Sequence, residues 1–264
     1  MAARREVALF LLATQFLTRV PVSSTTDFQP RSLGQSLRYF PLVGGLVGLI
    51  SVGAFWLFSR WLPVAVAVGL MLAVQLLVTG AFHEDGFADT CDGLGGGNTP
   101  ERTLAIMKDS RIGAFGAIGL VMLLGLKWSA LVALTSGAFA LVVVAAQVVS
   151  RWCAIGLVWA LRYARADAEG KSASFDGALA GRQWLLSGLI GAIPVAIMLL
   201  WSATDLSRSL ALAACVSFGM ASATAFLAAA YLHRRIGGYT GDCLGAGKRV
   251  AQPDRSCPGL GDRV

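Results

Sequence analysis

Charged residues are scarce in this chain: Asp, Glu, Lys and Arg make up 14% of its 264 residues, whereas 56% are hydrophobic. This composition excludes an ordinary soluble domain and indicates a membrane protein with several spans. The two histidines and five cysteines, with no CxxC pair, argue against a zinc site or a disulfide framework. No small-residue cleavage site follows the first apolar stretch, so we expect no cleavable signal peptide.

The excess of basic residues is explained by membrane topology. A net charge of +7 would suggest nucleic acid as a partner of a soluble protein, but cytoplasmic loops of membrane proteins are basic in any case. With both termini in the cytoplasm, Arg60 and Arg208 lie in outer segments, Lys127 and Arg151 lie within spans, and the remaining Lys and Arg residues lie inside. We therefore expect both termini to face the cytoplasm, and no nucleic acid partner.

Six apolar runs are long enough to cross about 30 Å of hydrocarbon. They predict an all-α, polytopic helix bundle of about six transmembrane helices. A shorter apolar stretch near the N-terminus predicts an interfacial helix. The six runs are Phe40–Phe58, Leu62–Phe82, Gly113–Leu134, Ala138–Leu161, Trp184–Trp201 and Leu210–Leu232.

The most informative stretch is 83–93, HEDGFADTCDG, which follows the second apolar run. On a helix, Asp85, Asp89 and Asp92 share an arc of about 60°, whereas Glu84 and His83 point elsewhere. Facing carboxylates repel one another unless they hold a cation. Mg²⁺ suits them, because it takes a few carboxylates and completes its shell with phosphate oxygens. The spacing predicts phosphate chemistry at the cytoplasmic membrane surface, and a flexible break at Gly93–Asn98 ends this helix.

A second polar stretch, 107–116, begins the next predicted span. Lys108 and Arg111 are three residues apart, so they can face one way on a helical turn and neutralise a diphosphate. Asp109 is a further candidate metal ligand. Positive-inside anchoring explains these cations equally well in isolation, but beside three facing aspartates we favour a functional role.

Two weaker signals follow. Arg151, inside an apolar span, costs a few kcal/mol at that depth and should face the bundle interior. There it contacts either substrate or a neighbouring carboxylate. The Gly-rich stretch 237–246 includes Thr240 and Asp242, which suit a phosphate-binding loop, although an ordinary helix C-cap and turn has equal weight.

These motifs resemble the cobalamin synthase family, the adenosylcobinamide-GDP ribazoletransferases. The resemblance rests on 83–93 together with MKDSRIG at 107–113. Weaker matches run in family order over roughly 7–246. They are FLTRVPV at 16–22, FPLVG at 40–44, SR at 150–151, YAR at 163–165 and GYTGDCLGA at 238–246.

The resemblance implies transfer of adenosylcobinamide phosphate from adenosylcobinamide-GDP to α-ribazole, or to its 5′-phosphate, with release of GMP. It implies a multi-pass protein of the bacterial inner membrane with a cytoplasmic active site and Mg²⁺ as cofactor. The residues implied are Asp85, Asp89 and Asp92 for the metal, Lys108 and Arg111 for the leaving GMP, Asp109 or one of the three aspartates as general base, and Arg19, Arg151, Arg165 and Asp242 for substrate contact.

The chain departs from the family in two places. Glu84 stands where the family is often apolar, and its helical position gives it no ligand role. After Ala246 the family continues into a further apolar helix, whereas 247–264 is polar and interrupted by Pro and Gly, as a frameshifted or truncated reading frame would be. We therefore expect one membrane-embedded domain over 1–246 and a disordered tail over 247–264.

Two other functions stay open at this point. A CDP-alcohol phosphotransferase also uses helix-borne aspartates and Mg²⁺, but the Ala-Arg pair of its motif is absent after Asp85-Gly86. A cation transporter would place its carboxylates near mid-membrane rather than at the inner end of a span. The expected partners are the lipid bilayer and the two substrates, and association with other cobalamin-assembly enzymes or with a second copy is left open.

Overall fold

The computed structural model describes residues 2–22, 30–134, 139–161, 164, 181, 183–191, 223–224 and 226–240. These residues form helices and no strand, which confirms the predicted all-α class for this part of the chain. Helical residues also occupy 183–191 and 226–236. The α-helices whose two ends are both described are α1 (Ala2–Leu17), α2 (Pro30–Ser36), α3 (Phe40–Phe58), α4 (Val64–Thr79), α5 (Phe82–Gly96), α6 (Pro100–Lys108), α7 (Ala114–Ala133) and α8 (Phe139–Ala160).

Within the part of the chain that the structure describes, three helices are long and apolar enough to cross a bilayer: Ser32–Phe58, Ala114–Ala133 and Phe139–Ala160. They coincide with the first, third and fourth predicted spans. Large apolar side chains of α7, among them Val121 and Leu126, are exposed, as a lipid-facing surface requires. The last two predicted spans lie largely outside the described residues, so the count of six stays a prediction.

The second predicted span, Leu62–Phe82, is not one straight helix. α4 and α5 meet at an angle of 89° and count as a fourth span only if taken together. Gly80 adopts a left-handed φ of 67°, and the N–H groups of Gly80 and Ala81 donate to carbonyls of the last turn of α4. This Schellman turn ends α4. The apolar run concealed it, because a single glycine inside such a run does not by itself mark a helix end.

Among the described helices, the most extensive packing joins α3 and α8, which run antiparallel. Val43, Val47 and Val144 are almost completely buried there. A Cβ atom added at Gly48 would lie 2.8 Å from the Cα of Val144, so the two backbones nearly touch. Helices in lipid associate through such close contacts, since lipid tails are as apolar as the side chains themselves.

The N-terminal helix α1 packs one face on this bundle. Leu9, Leu12 and Phe16 are buried, and Leu12 and Phe16 share a core cluster with residues of α3 and α8. Glu6 accepts hydrogen bonds from Arg38 at 2.6 Å and from the Tyr39 hydroxyl at 2.5 Å, which ties α1 to the chain before α3. Its location at the membrane interface stays a prediction.

Replacement of Gly48 by Val tests the α3–α8 contact. The branched side chain would collide with the backbone of α8, and we expect the free energy of unfolding to fall by about 1–3 kcal/mol. The readout is the midpoint of thermal unfolding in detergent. Gly53→Val on the same helix is the matched control, because a Cβ at Gly53 meets no atom within 4 Å. Equal destabilisation by the two variants would contradict this packing.

Candidate active site

The three predicted aspartates all lie on α5. Its bounds place Asp85, Asp89 and Asp92 on successive turns, as the spacing predicted. Their environments differ, however: Asp85 is exposed, Asp89 is half-buried and Asp92 is only 8% exposed. Within the described residues, no three His, Cys, Asp or Glu side chains are arranged to hold a metal ion. A metal site formed by all three carboxylates stays a prediction.

The helix that carries the aspartates is longer than predicted at its C-terminal end. The predicted break at Gly93–Asn98 is helical as far as Gly96, and the Gly97 N–H donates to the Gly93 carbonyl at 2.9 Å. The glycines stay helical because α6 folds back onto them, with Met107 buried against Gly93. α5 and α6 thus form a helical hairpin at one end of the bundle.

The Asp92 carboxylate is bonded to the backbone of α7. Its Oδ2 accepts the N–H of Gly113 at 2.7 Å, and its Oδ1 accepts the N–H of Gly116 at 2.8 Å. Amides of a first turn have no partner within their own helix, and a negative charge beside them is favourable. Each such charge-assisted bond contributes about 1.5–3 kcal/mol. Asp92, a predicted metal ligand, therefore connects α5 to the start of α7 by two hydrogen bonds.

Small residues make this close approach possible. A Cβ added at Gly113 or Gly116 would collide with the Asp92 carboxylate. One turn further along α7, Gly119 lies against Phe87 and Cys91 of α5. The first turns of α7 therefore run antiparallel to α5, backbone close to backbone.

The second predicted motif is not a helical turn. Lys108 is the last residue of α6, and Asp109 leaves the helix with an extended ψ of 126°. Residues 109–113 form a linker to α7, so the prediction that Lys108 and Arg111 share one helical face is wrong. Because a C-cap follows Lys108 directly, the three-residue spacing carries no helical meaning here.

Asp109 and Arg111 pair with each other within this linker. The Arg111 guanidinium donates to Asp109 through Nε at 3.1 Å and through Nη2 at 2.7 Å. Hydrogen bonding to Asp109 and its negative charge raise the pKa of Arg111 above its ordinary value. The Arg111 side chain is 87% exposed, so this ion pair stands open to a ligand from solution.

Arg151 is buried as predicted, with 4% of its surface exposed. It donates to Ser150 Oγ at 2.9 Å and to Gln147 Oε1, while its Nε has no partner within the described residues. The Oε2 atom of Glu84 is likewise buried without a partner there, and the Glu84 charge acts on both Arg151 and Lys127. Two cations inside apolar spans were the signal that could have identified Glu84 as their acidic neighbour.

A pocket enclosing about 350 Å³, part of it open to solvent, lies beside the start of α5. His83 and Arg151 line it together with apolar side chains of α1, α3 and α8. His83 occupies the face of α5 opposite to Asp85, because residues two positions apart in a helix differ by about 200° around its axis. The helix thus separates this pocket from the aspartates.

The remaining substrate candidates are only partly described. The backbone N–H of Arg19 donates to the Val78 carbonyl at 2.7 Å. The exposed Arg19 side chain lies over Gly80 at the α4–α5 turn. Arg19 therefore lies near the start of α5. Arg165 and Asp242 lie outside the described residues.

The first part of the Gly-rich stretch is a helix end and core. Gly237 has a φ of 75°, and its N–H donates to the His233 carbonyl at 3.0 Å. Tyr239 is completely buried in the cluster that includes residues of α1, α3 and α8. Of the two interpretations of this stretch, the helix C-cap and turn therefore applies to 237–239.

Sequence reasoning missed Arg235. Its Nη2 donates to the carbonyls of Gly97 at 2.8 Å and Leu94 at 3.3 Å. Carbonyls at the C-terminus of a helix lack partners within it, and a cation there is favourable. In the sequence, Arg235 is simply a basic residue at the inner end of a span, which the positive-inside rule explains without any role at α5.

Replacement of Arg235 by Ala should loosen the last turn of α5. The carbonyls of Leu94 and Gly97 lose their donor, at a cost of about 1 kcal/mol. We expect faster hydrogen exchange in a peptide covering 93–98. Arg234→Ala is the control, since Arg234 is an exposed neighbour on the same helix. Unchanged exchange in Arg235→Ala would contradict a capping role.

Residues 9–253 match the family model described as cobalamin-5-phosphate synthase. A Leptothrix cholodnii protein named adenosylcobinamide-GDP ribazoletransferase is 43% identical over 250 residues, which cover 94% of this chain and 92% of that protein. Proteins of the same name from Ralstonia pickettii (42% identical, 90% of this chain and 89% of theirs) and Shewanella baltica (40%, 94% and 92%) are similar. No solved structure matches the chain.

Proposed function

Because the chain belongs to the cobalamin-5-phosphate synthase family, it is a transferase of cobalamin nucleotide-loop assembly, and we propose how its residues carry out the transfer. The donor is adenosylcobinamide-GDP, and the acceptor is α-ribazole or its 5′-phosphate. A ribazole hydroxyl oxygen attacks the phosphorus next to cobinamide, and the bond from that phosphorus to the GMP oxygen breaks. The products are adenosylcobalamin, or its 5′-phosphate, and GMP.

The proposed location is the bacterial inner membrane, with the α5–α7 end of the bundle facing the cytoplasm. Apolar helices make the chain a membrane protein. Lys108 and Arg111 lie just before α7, and the positive-inside rule puts such residues on the cytoplasmic side. Nucleotide substrates are present in that compartment.

We further propose Mg²⁺ as the cofactor, held chiefly by Asp85 and Asp89. The donor set fits: two carboxylates one helical turn apart supply hard oxygen ligands, and Mg²⁺ takes one or two carboxylates together with substrate phosphate. Asp92, the third predicted ligand, accepts one backbone N–H from the start of α7 on each oxygen. The cation would neutralise charge on the diphosphate.

The linker supplies the positive charge on the opposite side of the diphosphate. Arg111 is exposed and bonded to a carboxylate through two of its nitrogens, and a guanidinium binds phosphate oxygens with the same geometry. We propose that the GMP phosphate takes the place of Asp109 on Arg111, with Lys108 adding a second cation. The Asp109 carboxylate released in this exchange accepts the proton of the attacking hydroxyl.

The observation that carries this proposal is the attachment of the Arg111 linker to the helix of Asp85 and Asp89. The Gly113 N–H, two residues after Arg111, is bonded to Asp92 of the same helix. Cations for a diphosphate and carboxylates for its metal are thereby held at one end of the bundle. No observation favours a CDP-alcohol phosphotransferase or a cation transporter.

Replacement of Asp89 or Asp85 by Asn tests the metal proposal. Each variant removes a negative ligand without changing side-chain size, so we expect at least a hundredfold loss of GMP release in membranes supplied with both substrates and Mg²⁺. Glu101→Gln, an exposed acid at the start of α6, is the control for charge loss. Near-normal turnover in Asp89→Asn would eliminate this site.

Replacement of Arg111 by Lys tests the exchange of Asp109 for phosphate. A lysine keeps the charge but loses the two-point grip, so we expect KM for adenosylcobinamide-GDP to rise about tenfold while KM for ribazole changes little. Steady-state GMP release with each substrate varied in turn measures both constants. A rise confined to the ribazole KM would place Arg111 on the acceptor instead.

A further inference from the structure

We propose that Asp92 is a positioning residue and not a metal ligand: through the first turn of α7 it sets where the Arg111 linker lies over α5. The inference rests on the proposed function for its effect on catalysis. Its structural basis is independent of that function.

Both carboxylate oxygens of Asp92 form hydrogen bonds to the start of α7. Each accepts a hydrogen bond from a backbone amide, Asp92 is 8% exposed, and the amides of Gly113 and Gly116 point at its carboxylate from the start of a span. If Asp92 turned towards a cation, two amides at the edge of the apolar bundle would lose a charged acceptor. The Gly116 amide is buried, so water cannot readily replace the carboxylate there.

The linker that carries Arg111 is anchored to α5 at both of its ends. Before it, Met107 of α6 is buried against Gly93 of α5. After it, Gly113 is bonded to Asp92, the residue adjacent to Gly93. Residues 108–112 thus span two anchor points on a single turn of α5. The range open to Arg111 is confined to the space around that turn.

Asp92 and Asp85 lie at different places on α5. Asp85 is exposed and lies two turns towards the start of α5, away from the α7 contact. Loss of Asp92 should therefore weaken the grip on the donor diphosphate without removing a ligand from the cation. A metal ligand and a positioning residue predict different kinetic signatures.

The experiment compares Asp92→Asn with Gly116→Ala, using Gly125→Ala as the matched control. A methyl group at Gly116 would collide with the Asp92 carboxylate, whereas one at Gly125 on the same helix meets no atom within 4 Å. We expect Asp92→Asn and Gly116→Ala each to raise KM for adenosylcobinamide-GDP about tenfold. The Mg²⁺ concentration for half-maximal activity should stay within about twofold of the parent protein, and the double variant should show no additive loss.

A large shift of the Mg²⁺ requirement in Asp92→Asn, with a normal requirement in Gly116→Ala, would overturn the inference and make Asp92 a ligand. Hydrogen exchange of peptides covering 108–117 gives a readout without turnover. Exchange should accelerate in Asp92→Asn and Gly116→Ala but not in Gly125→Ala. Unchanged exchange in Asp92→Asn would also overturn the inference, whereas absence of GMP release from the parent protein would count against the proposed function alone.

Discussion

The candidate site depends on one contact, the Asp92 carboxylate on the amides of Gly113 and Gly116. A span that starts at the edge of an apolar bundle has unpaired N–H groups, and a carboxylate from a neighbouring helix satisfies two of them while matching the helix dipole. The same contact holds α7 against α5 and fixes one end of the linker that carries Arg111. In the proposed mechanism, folding and catalysis therefore depend on the same side chain.

Charged groups lie close to both ends of α5. Arg235 binds the carbonyls at its C-terminal end. Near its start, the Glu84 charge acts on Lys127 and Arg151 in two different spans. Charges in lipid are costly unless they meet a partner, so each one specifies a particular arrangement of helices. In this bundle those arrangements converge on the helix that bears the aspartates.

The sequence predicted well what a single helix determines by itself. α3, α7 and α8 follow from apolar runs, and the turn positions of the aspartates follow from their spacing. It did not show what a second element decides. The helical angle of Asp92 does not reveal its bonds to the start of α7, and nothing in the residues around Lys108 separates a helical turn from a linker. The role of Arg235 could be found only from the structure, because its hydrogen-bond partners lie about 140 residues away in the sequence.

The most direct test of this account is a structure of the protein with Mn²⁺ in place of Mg²⁺ and a donor analogue that cannot react. The anomalous signal of Mn²⁺ locates the cation among the carboxylates. The account predicts the ion on Asp85 and Asp89, with Asp92 still accepting the amides of Gly113 and Gly116 and Arg111 on the GMP phosphate. An ion coordinated by Asp92, with those amide bonds broken, would contradict it.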